Sequence, residues 1–422
     1  MLILNFFKTN KIVQNTFSKW MIICLAVGIL SGTVAAFFFT TLNWVTIFRM
    51  THPKILYCIP IGGLLIGVLY HYKGKDIVKG NNLLLEEYDK PKKKIPLKMV
   101  PFIYIGTLIT HLFGGSAGRE GTAVQMGGAI ADQFSDLFNL TENERRTILL
   151  LGISAGFAAV FGTPLAGALF ALEITFHSAF SKKSLVLSFI VAYIAAYTVS
   201  FWNVSHTHYR IPTYFTWNII NFVWLALVSI LFGLVALLFA HATHFWNLFF
   251  SKTIAFPPYR PMIGGVLLVI IIVCTNTQSY EGLGIQQIQG AFYTPADPFA
   301  FLIKIGLTSL TLGAGFKGGE VTPLFFIGAT LGSALAVFVP LPISLLTAVG
   351  FVAVFAGATH TPIACAVMGL ELFGFDAFFY VLVSCSIAYF ASGTKGIYSA
   401  QILNGPKIKM YKKFKTIVLD FL

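Results

Sequence analysis

Gly118-Arg119-Glu120-Gly121-Thr122 is echoed 200 residues later by Gly318-Gly319-Glu320-Val321-Thr322. Each copy lies inside apolar sequence. A second echo follows each one: Thr163-Pro164 with Glu173 nine residues beyond the proline, and Thr361-Pro362 with Glu371 nine residues beyond its proline. Two halves built alike, each with a glycine-flanked carboxyl group at membrane depth, form the pattern expected of a transporter assembled from repeats. A carboxylate in lipid is costly, so each of these glutamates is a functional candidate.

The surrounding composition supports a membrane setting. Of 422 residues, 56% are hydrophobic and 11% charged, against about 25% charged in a soluble domain. Residues 147–172, 211–251 and 321–370 contain no Asp, Glu, Lys or Arg, and each run exceeds the roughly 18 residues of a candidate span. The runs lack the strict alternation of barrel strands. The class expected is an all-α polytopic membrane protein.

The net charge of +13 does not point to nucleic acid, because the aromatics lie in the apolar runs and not among the lysines. The lysines gather before the first span (Lys8, Lys11, Lys19), within 73–98 (Lys92, Lys93, Lys94, Lys98) and at the end (Lys407, Lys409, Lys412, Lys413, Lys415). The positive-inside rule puts both termini and the 73–98 segment in the cytoplasm. The five cysteines, Cys24, Cys58, Cys274, Cys365 and Cys385, lack metal-ligand spacing and read as small buried hydrophobes. The stretch Trp20 to Phe48 is too long for a signal peptide and reads as a retained first helix.

Several apolar segments are too short to span, and others start at breaks: Gly114-Gly115, Gly162-Thr163-Pro164, Gly318-Gly319 and Thr361-Pro362. Interrupted helices whose N-termini meet near the midplane are a way to hold an ion in a bilayer. Such ends carry unpaired N–H groups and about half a positive charge, so they attract an anion without a bare Lys or Arg. The expected organisation is 1–19 as a cytoplasmic segment, 20–405 as the transmembrane domain with repeats at about 20–200 and 215–400, and 406–422 as a basic tail. Residues 251–260, with Pro257 and Pro258, read as a linker. No separate soluble domain is expected.

At the first motif, the glycines Gly118 and Gly121 permit close backbone approach, and Thr122 falls near a helix start. Glu120 has two readings. It can swing into an anion site when ionised and leave when protonated, acting as gate and proton carrier, or it can pair with Arg119 or cap a helix. Glu320, after Gly319, is either a second stop for protons or a salt-bridge partner of Lys317. Thr322 offers a hydroxyl to an anion. Gly315-Phe316-Lys317-Gly318-Gly319 lacks the spacing of a phosphate loop. Asn81 and Asn82, after Gly80, can cap a helix or offer amide N–H donors to an anion. Tyr398 is an interfacial anchor or a hydroxyl donor. Glu173 and Glu371 read as caps or structural pairs at helix ends. His111, His177 and His360 read as buried, hydrogen-bonded histidines, with a proton relay as the alternative.

Gly118-Arg119-Glu120-Gly121, Thr163-Pro164-Leu165-Ala166-Gly167 and Lys395 to Ser399 together resemble the CLC family of anion channels and anion/proton antiporters, over about residues 20–405. The resemblance implies a homodimer with one pore per subunit, two inverted-topology repeats and about 18 broken, tilted helical segments. It implies no enzyme activity, no cofactor or metal, and no CBS domain. Three departures are telling. Gly80-Asn81-Asn82-Leu83-Leu84 replaces Gly-Ser-Gly-Ile-Pro, Thr122 replaces a proline, and Gly319-Glu320-Val321-Thr322-Pro323 replaces the usual Gly-Ile/Lys-Phe-Ala-Pro. Together they resemble the bacterial fluoride/proton antiporter branch, which expels fluoride from the cytoplasm across the inner (plasma) membrane. On that resemblance Glu120 is the gating glutamate and Glu320 an added carboxyl. Asn81, Val321, Thr322 and Tyr398 stand at the anion site. Ile174 stands where chloride/proton exchangers carry an inner proton-transfer glutamate. A chloride/proton exchanger or a passive channel of the same fold is the alternative.

Overall fold

The computed structural model describes residues 16–175, 181–207, 209, 211, 218–404 and 407–411. His177, most of the 1–19 segment and the tail beyond 411 lie outside the described residues. Among those described, the chain forms helices and no β-strand.

The helices run in two matching series. The first is α1 (Thr16–Thr51), α2 (Ile59–Lys73), α3 (Asn81–Asp89), α4 (Met99–Leu112), α5 (Glu120–Leu137), α6 (Glu142–Phe161), α7 (Pro164–Ile174) and α8 (Lys182–Phe201). The second is α9 (Ile219–Thr253), α10 (Tyr259–Thr275), α11 (Ile285–Ala291), α12 (Ala300–Gly313), α13 (Val321–Leu335), α14 (Ile343–Thr359), α15 (Pro362–Phe373) and α16 (Phe375–Ala391). Their lengths pair off: 36 with 35, 15 with 17, 9 with 7, 14 with 14, 18 with 15, 20 with 17, 11 with 12 and 20 with 17 residues. Local signals end these helices where the breaks fall. Gly162 closes α6 in the left-handed region at φ +67° before Thr163 and Pro164. His360 takes the same conformation at φ +57° after α14, before Thr361 and Pro362.

Within the expected linker 251–260, the non-helical residues are 254–258, between α9 and α10. The Pro257-Pro258 turn links α9 to α10 inside the second series, as His52 and a 3-10 turn at Pro53–Cys58 link α1 to α2 in the first. The two series meet between α8 and α9. Sequence alone reads a proline pair as punctuation but does not rank which punctuation matters.

Among the described residues, four apolar segments are long enough to cross a membrane: Phe17–Thr51, Pro53–Lys73, Lys182–Phe201 and Ile219–Thr253. Other apolar helices, such as Pro164–Ile174 and Val321–Leu335, are shorter than a span, and non-helical backbone at that depth is tolerated only inside protein. Long buried stretches lie in α6, α13 and α14. Every residue of α14 from Ser344 to Thr359 is buried, as is α6 from Ile148 to Val160. The long helices instead turn large side chains outward, including Phe37 and Trp44 on α1 and Leu227, Leu238 and Phe245 on α9. Cys274 is also exposed, near the end of α10, while Cys24, Cys365 and Cys385 are buried and Cys58 is partly so.

Close helix approach rests on glycine. Gly127 of α5 faces the backbone of Gly152 and Gly156 on α6, and Gly328 and Gly332 of α13 face Gly350 and Leu346 on α14. A Cβ at any of these would collide with backbone. Apolar burial cannot drive association within lipid, so small-residue contacts of this kind hold the helices.

One end of the molecule is electrostatically tied. Lys19 at the start of α1 pairs with Glu144 at 2.6 Å, Lys98 with Asp76 at 2.7 Å and Lys94 with Asp136 at 2.7 Å. Arg145 bonds Asp132 at 2.8 Å and Glu87 at 3.0 Å, and Glu87 also accepts the N–H groups of Lys92 and Lys93. This network anchors the C-terminal end of α3, and so the position of Asn81 at its start. At the opposite end, Arg49 near the close of α1 pairs with Glu281 at 3.3 Å. Part of the basic tail is docked. Residues 407–411 are helical, and the Lys407 ammonium bonds Ser392 Oγ and His360 Nδ1, each at 2.9 Å.

Candidate functional site

The two echoed motifs touch each other. Gly118 donates its N–H to the carbonyl of Gly319 at 2.6 Å, and Gly319 donates to Gly118 at 2.8 Å, as one antiparallel bridge. Glycine is needed for this approach: a Cβ on Gly319 would lie 2.6 Å from the N of Gly121. The bridge sets the N-termini of α5 and α13 against each other, each with its unpaired N–H groups and partial positive charge.

Glu120, the first residue of α5, is buried. Its carboxylate accepts the N–H of Arg119 and the N–H of Thr322, each at 3.0 Å, and also the Thr322 hydroxyl. It thus caps the helix of the opposite series. Arg119 is a weaker partner. Its Nε stands 3.8 Å from the carboxylate, beyond hydrogen-bond range, and its guanidinium lies 4.4 Å from the Phe39 ring centre.

The neighbouring candidates separate by what they face. Thr122 turns away, its hydroxyl bonding Thr107 at 2.7 Å. Val321 opens α13 and is buried. Asn81 starts α3 but does not cap it; Gly80, at φ +57°, holds that position. The Asn81 amide nitrogen packs beside Gly121, where a Cβ would lie 2.9 Å from it, and its Oδ1 is buried without a hydrogen bond. Asn82 instead accepts the N–H of Ala400 at 3.0 Å and so fixes the segment carrying Tyr398. Tyr398 is buried, which removes the interfacial-anchor reading. Glu320 precedes α13, and its Oε2 is buried without a partner. The salt bridge with Lys317 is not formed; the Lys317 ammonium lies 4.1 Å from the Tyr70 ring centre.

Cavities approach this centre from both ends. One of about 120 Å³ is lined by Asn81, Gln125, Lys317, Glu320 and Tyr398, and it opens beside residues 77–82 at the lysine-rich end. On the other side, a small space of about 30 Å³ is lined by Arg119, Glu120, His206 and Thr322. Arg119 and His206 also line a cavity of about 800 Å³ that reaches Arg49 and Glu281. Glu320 faces the first cavity and Glu120 the second group.

Glu173 and Glu371 are caps, as expected, but each caps the other series. The Glu371 carboxylate accepts the N–H groups of Leu165 and Ala166 on α7 at 2.9 and 2.8 Å. Glu173 accepts those of Ile363 and Ala364 on α15 at 3.0 and 2.7 Å. Ile174, next to Glu173, is buried. His111 is buried with its Nε2 unpaired, and His360 holds Lys407. Gln125 and Lys317 were not singled out from sequence as lining residues. Gln125 carried one usable signal, as a polar residue within the small-residue helix Ala123–Ala131.

Broken, repeated helices meeting head to head around buried carboxyl groups define an ion-conducting membrane protein. The family model described as "Voltage gated chloride channel" matches residues 62–393, and the chain belongs to that family, the CLC proteins. The "Chloride/fluoride channel protein" of Pseudomonas syringae pv. tomato is 45% identical over 390 residues, covering 91% of this chain and 86% of that one. The crystal structure of a CLC-type fluoride/proton antiporter superposes with a TM-score of 0.88 at 36% identity, covering 91% of this chain and 98% of the other. A slow cyanobacterial Cl⁻/H⁺ antiporter superposes at 0.78 with 19% identity, covering 90% and 96%, which speaks to the fold alone.

Proposed function

We propose that this protein exports fluoride from the cytoplasm in exchange for protons moving inward. It works as a homodimer in the inner membrane, with both termini cytoplasmic and a separate pathway in each subunit. The observation that carries this reading is the Glu120 carboxylate seated on the Thr322 N–H and hydroxyl at the start of α13. A carboxylate and a fluoride ion want the same donors. Fluoride is small and tightly hydrated, so a site must replace its water with short, strong hydrogen bonds. Ionised, Glu120 occupies the seat; protonated, it withdraws and fluoride takes the Thr322 donors. The Gly118–Gly319 bridge, with Gly121, keeps the two helix ends close enough for one side chain to serve both.

Glu320 is the second proton stop, on the cytoplasmic side, where it takes the place of the inner carboxyl that Ile174 does not supply. Asn81 lends amide donors to the anion, Val321 forms the dry wall of the seat, and Tyr398 closes the cytoplasmic approach. The 45% identity to a chloride/fluoride channel protein and the 0.88 superposition on a fluoride/proton antiporter support fluoride as the ion.

Vesicles holding the purified protein and loaded with fluoride or chloride test the assignment. Under an inward proton gradient, fluoride should leave against its own gradient while chloride stays. Chloride leaving at a matching rate would place the protein among ordinary anion transporters.

A further inference from the structure

Lys317 has no part in the cycle above, yet it lines the cytoplasmic cavity with Glu320, Asn81 and Gln125. The side chain is placed with care. The backbone N–H of Lys317 donates to Thr110 Oγ1 at 3.2 Å. Its stem lies on Gly106, where a Cβ would meet Lys317 Cγ at 2.9 Å. The ammonium ends over Tyr70, 4.1 Å from the ring centre. Among the described residues it forms no ion pair. The other lysine at this cavity, Lys79, is already matched by Glu86 at 2.6 Å. Among the residues lining this cavity, Lys317 is the cation without an ion pair, and Glu320 the carboxyl with an unpartnered oxygen, Oε2.

We propose that Lys317 is the cation that recruits fluoride from the cytoplasm and holds it beside Asn81 until the Thr322 seat is vacated. The proposal deepens the transport reading and rests on it. Lys317 gives the cavity a positive charge that draws an anion in from the cytoplasm. A proton arriving on Glu320 removes the negative charge among the lining residues and makes the cavity more positive still. Fluoride then enters from the cytoplasm, and the proton leaves Glu320 toward the cytoplasm. Charge in a cleft with low-dielectric walls raises the local counter-ion concentration and the rate of association. Opposite ions are thereby loaded and released in one small space, which is what exchange requires.

The test uses membrane vesicles of defined orientation from cells expressing wild-type protein, Lys317→Gln, Lys317→Met and Lys317→Arg. Inverted vesicles present the cytoplasmic face, and initial fluoride uptake is measured against fluoride concentration. Losing one charged contact is worth a tenfold change or more in affinity. Either neutral variant should raise KM at the cytoplasmic face by about tenfold, leave KM at the outer face within about twofold in right-side-out vesicles, and keep the maximal rate. Lys317→Arg should preserve the wild-type value. Unchanged KM at the cytoplasmic face in a folded neutral variant overturns the proposal alone, as does an equal rise at both faces. A wild-type protein that moves no fluoride overturns the transport reading itself.

Discussion

Thr322, the second residue of α13, donates both its backbone N–H and its hydroxyl to the carboxylate of Glu120, a residue 202 positions earlier at the start of α5. Neither helix could make this seat alone. The charge comes from one series and the donors from the other. The antiparallel Gly118–Gly319 bridge fixes the distance between them. On the proposed reading the site is a switch between an ionised Glu120 on these donors and a protonated Glu120 with fluoride in its place.

Removing the Thr322 hydroxyl tests the seat without removing the backbone donor. Thr322→Val keeps the shape and the N–H. A hydrogen bond to a charged group is worth about 1.5–3 kcal/mol, so apparent fluoride affinity should fall by about tenfold or more. The readout is the fluoride dependence of flux into vesicles. An unchanged half-saturation would take the hydroxyl out of anion binding.

Asn81 is expected to set discrimination. Its amide nitrogen lies against Gly121, beside the motif that bears Glu120, and its oxygen has no other partner. Asn81→Ser shortens the side chain and replaces two amide donors with one hydroxyl, which should raise the ratio of chloride to fluoride flux. The same ratio as wild type would remove Asn81 from the site.

Glu173 and Glu371 should matter for stability and not for coupling. Each accepts two backbone N–H groups at the start of the other series' helix. Replacing Glu371 by Ala leaves two inward-facing donors unmatched, at about 1–3 kcal/mol each. The melting temperature in detergent should drop, with Glu371→Gln intermediate. Vesicles made below that temperature should retain the wild-type ratio of protons to fluoride.

The glycine contacts are expected to be intolerant. Gly328 of α13 meets the backbone of Gly350 on α14. Overpacking costs about 1–3 kcal/mol even where neighbours can shift, and here the obstacle is backbone. Gly328→Val should yield little folded protein by gel filtration, while Gly290→Val, where a Cβ meets nothing within 4 Å, should behave as wild type.

Much of this arrangement was legible in the sequence because a repeated motif shows up as a repeated motif. Glu120, Glu320, Glu173 and Glu371 all announced themselves by their spacing. What the echo did not carry was the crossing. Nothing in the spacing says that Glu173 caps Ile363 and Ala364, or that Glu120 reaches Thr322 and not its own helix. The short helices Asn81–Asp89 and Ile285–Ala291 were hidden because they are too short and polar for an apolar period. Arg119 is a natural partner for Glu120 by adjacency, and its backbone N–H does donate to the carboxylate at 3.0 Å, but its guanidinium forms only a loose ion pair at 3.8 Å. Lys317 and Glu320 are likewise close in sequence but form no ion pair: Lys317 lies over Tyr70, and Glu320 Oε2 has no partner.

The central claim is that Glu120 carries the proton and competes with fluoride for one seat. Glu120→Gln keeps the shape of the side chain but cannot ionise. Fluoride and proton fluxes are to be followed together in vesicles for both proteins. Wild type should take up protons as fluoride leaves, and the variant should move fluoride passively or not at all, with no accompanying proton flux. Proton-driven fluoride movement in Glu120→Gln at the wild-type level would contradict the account.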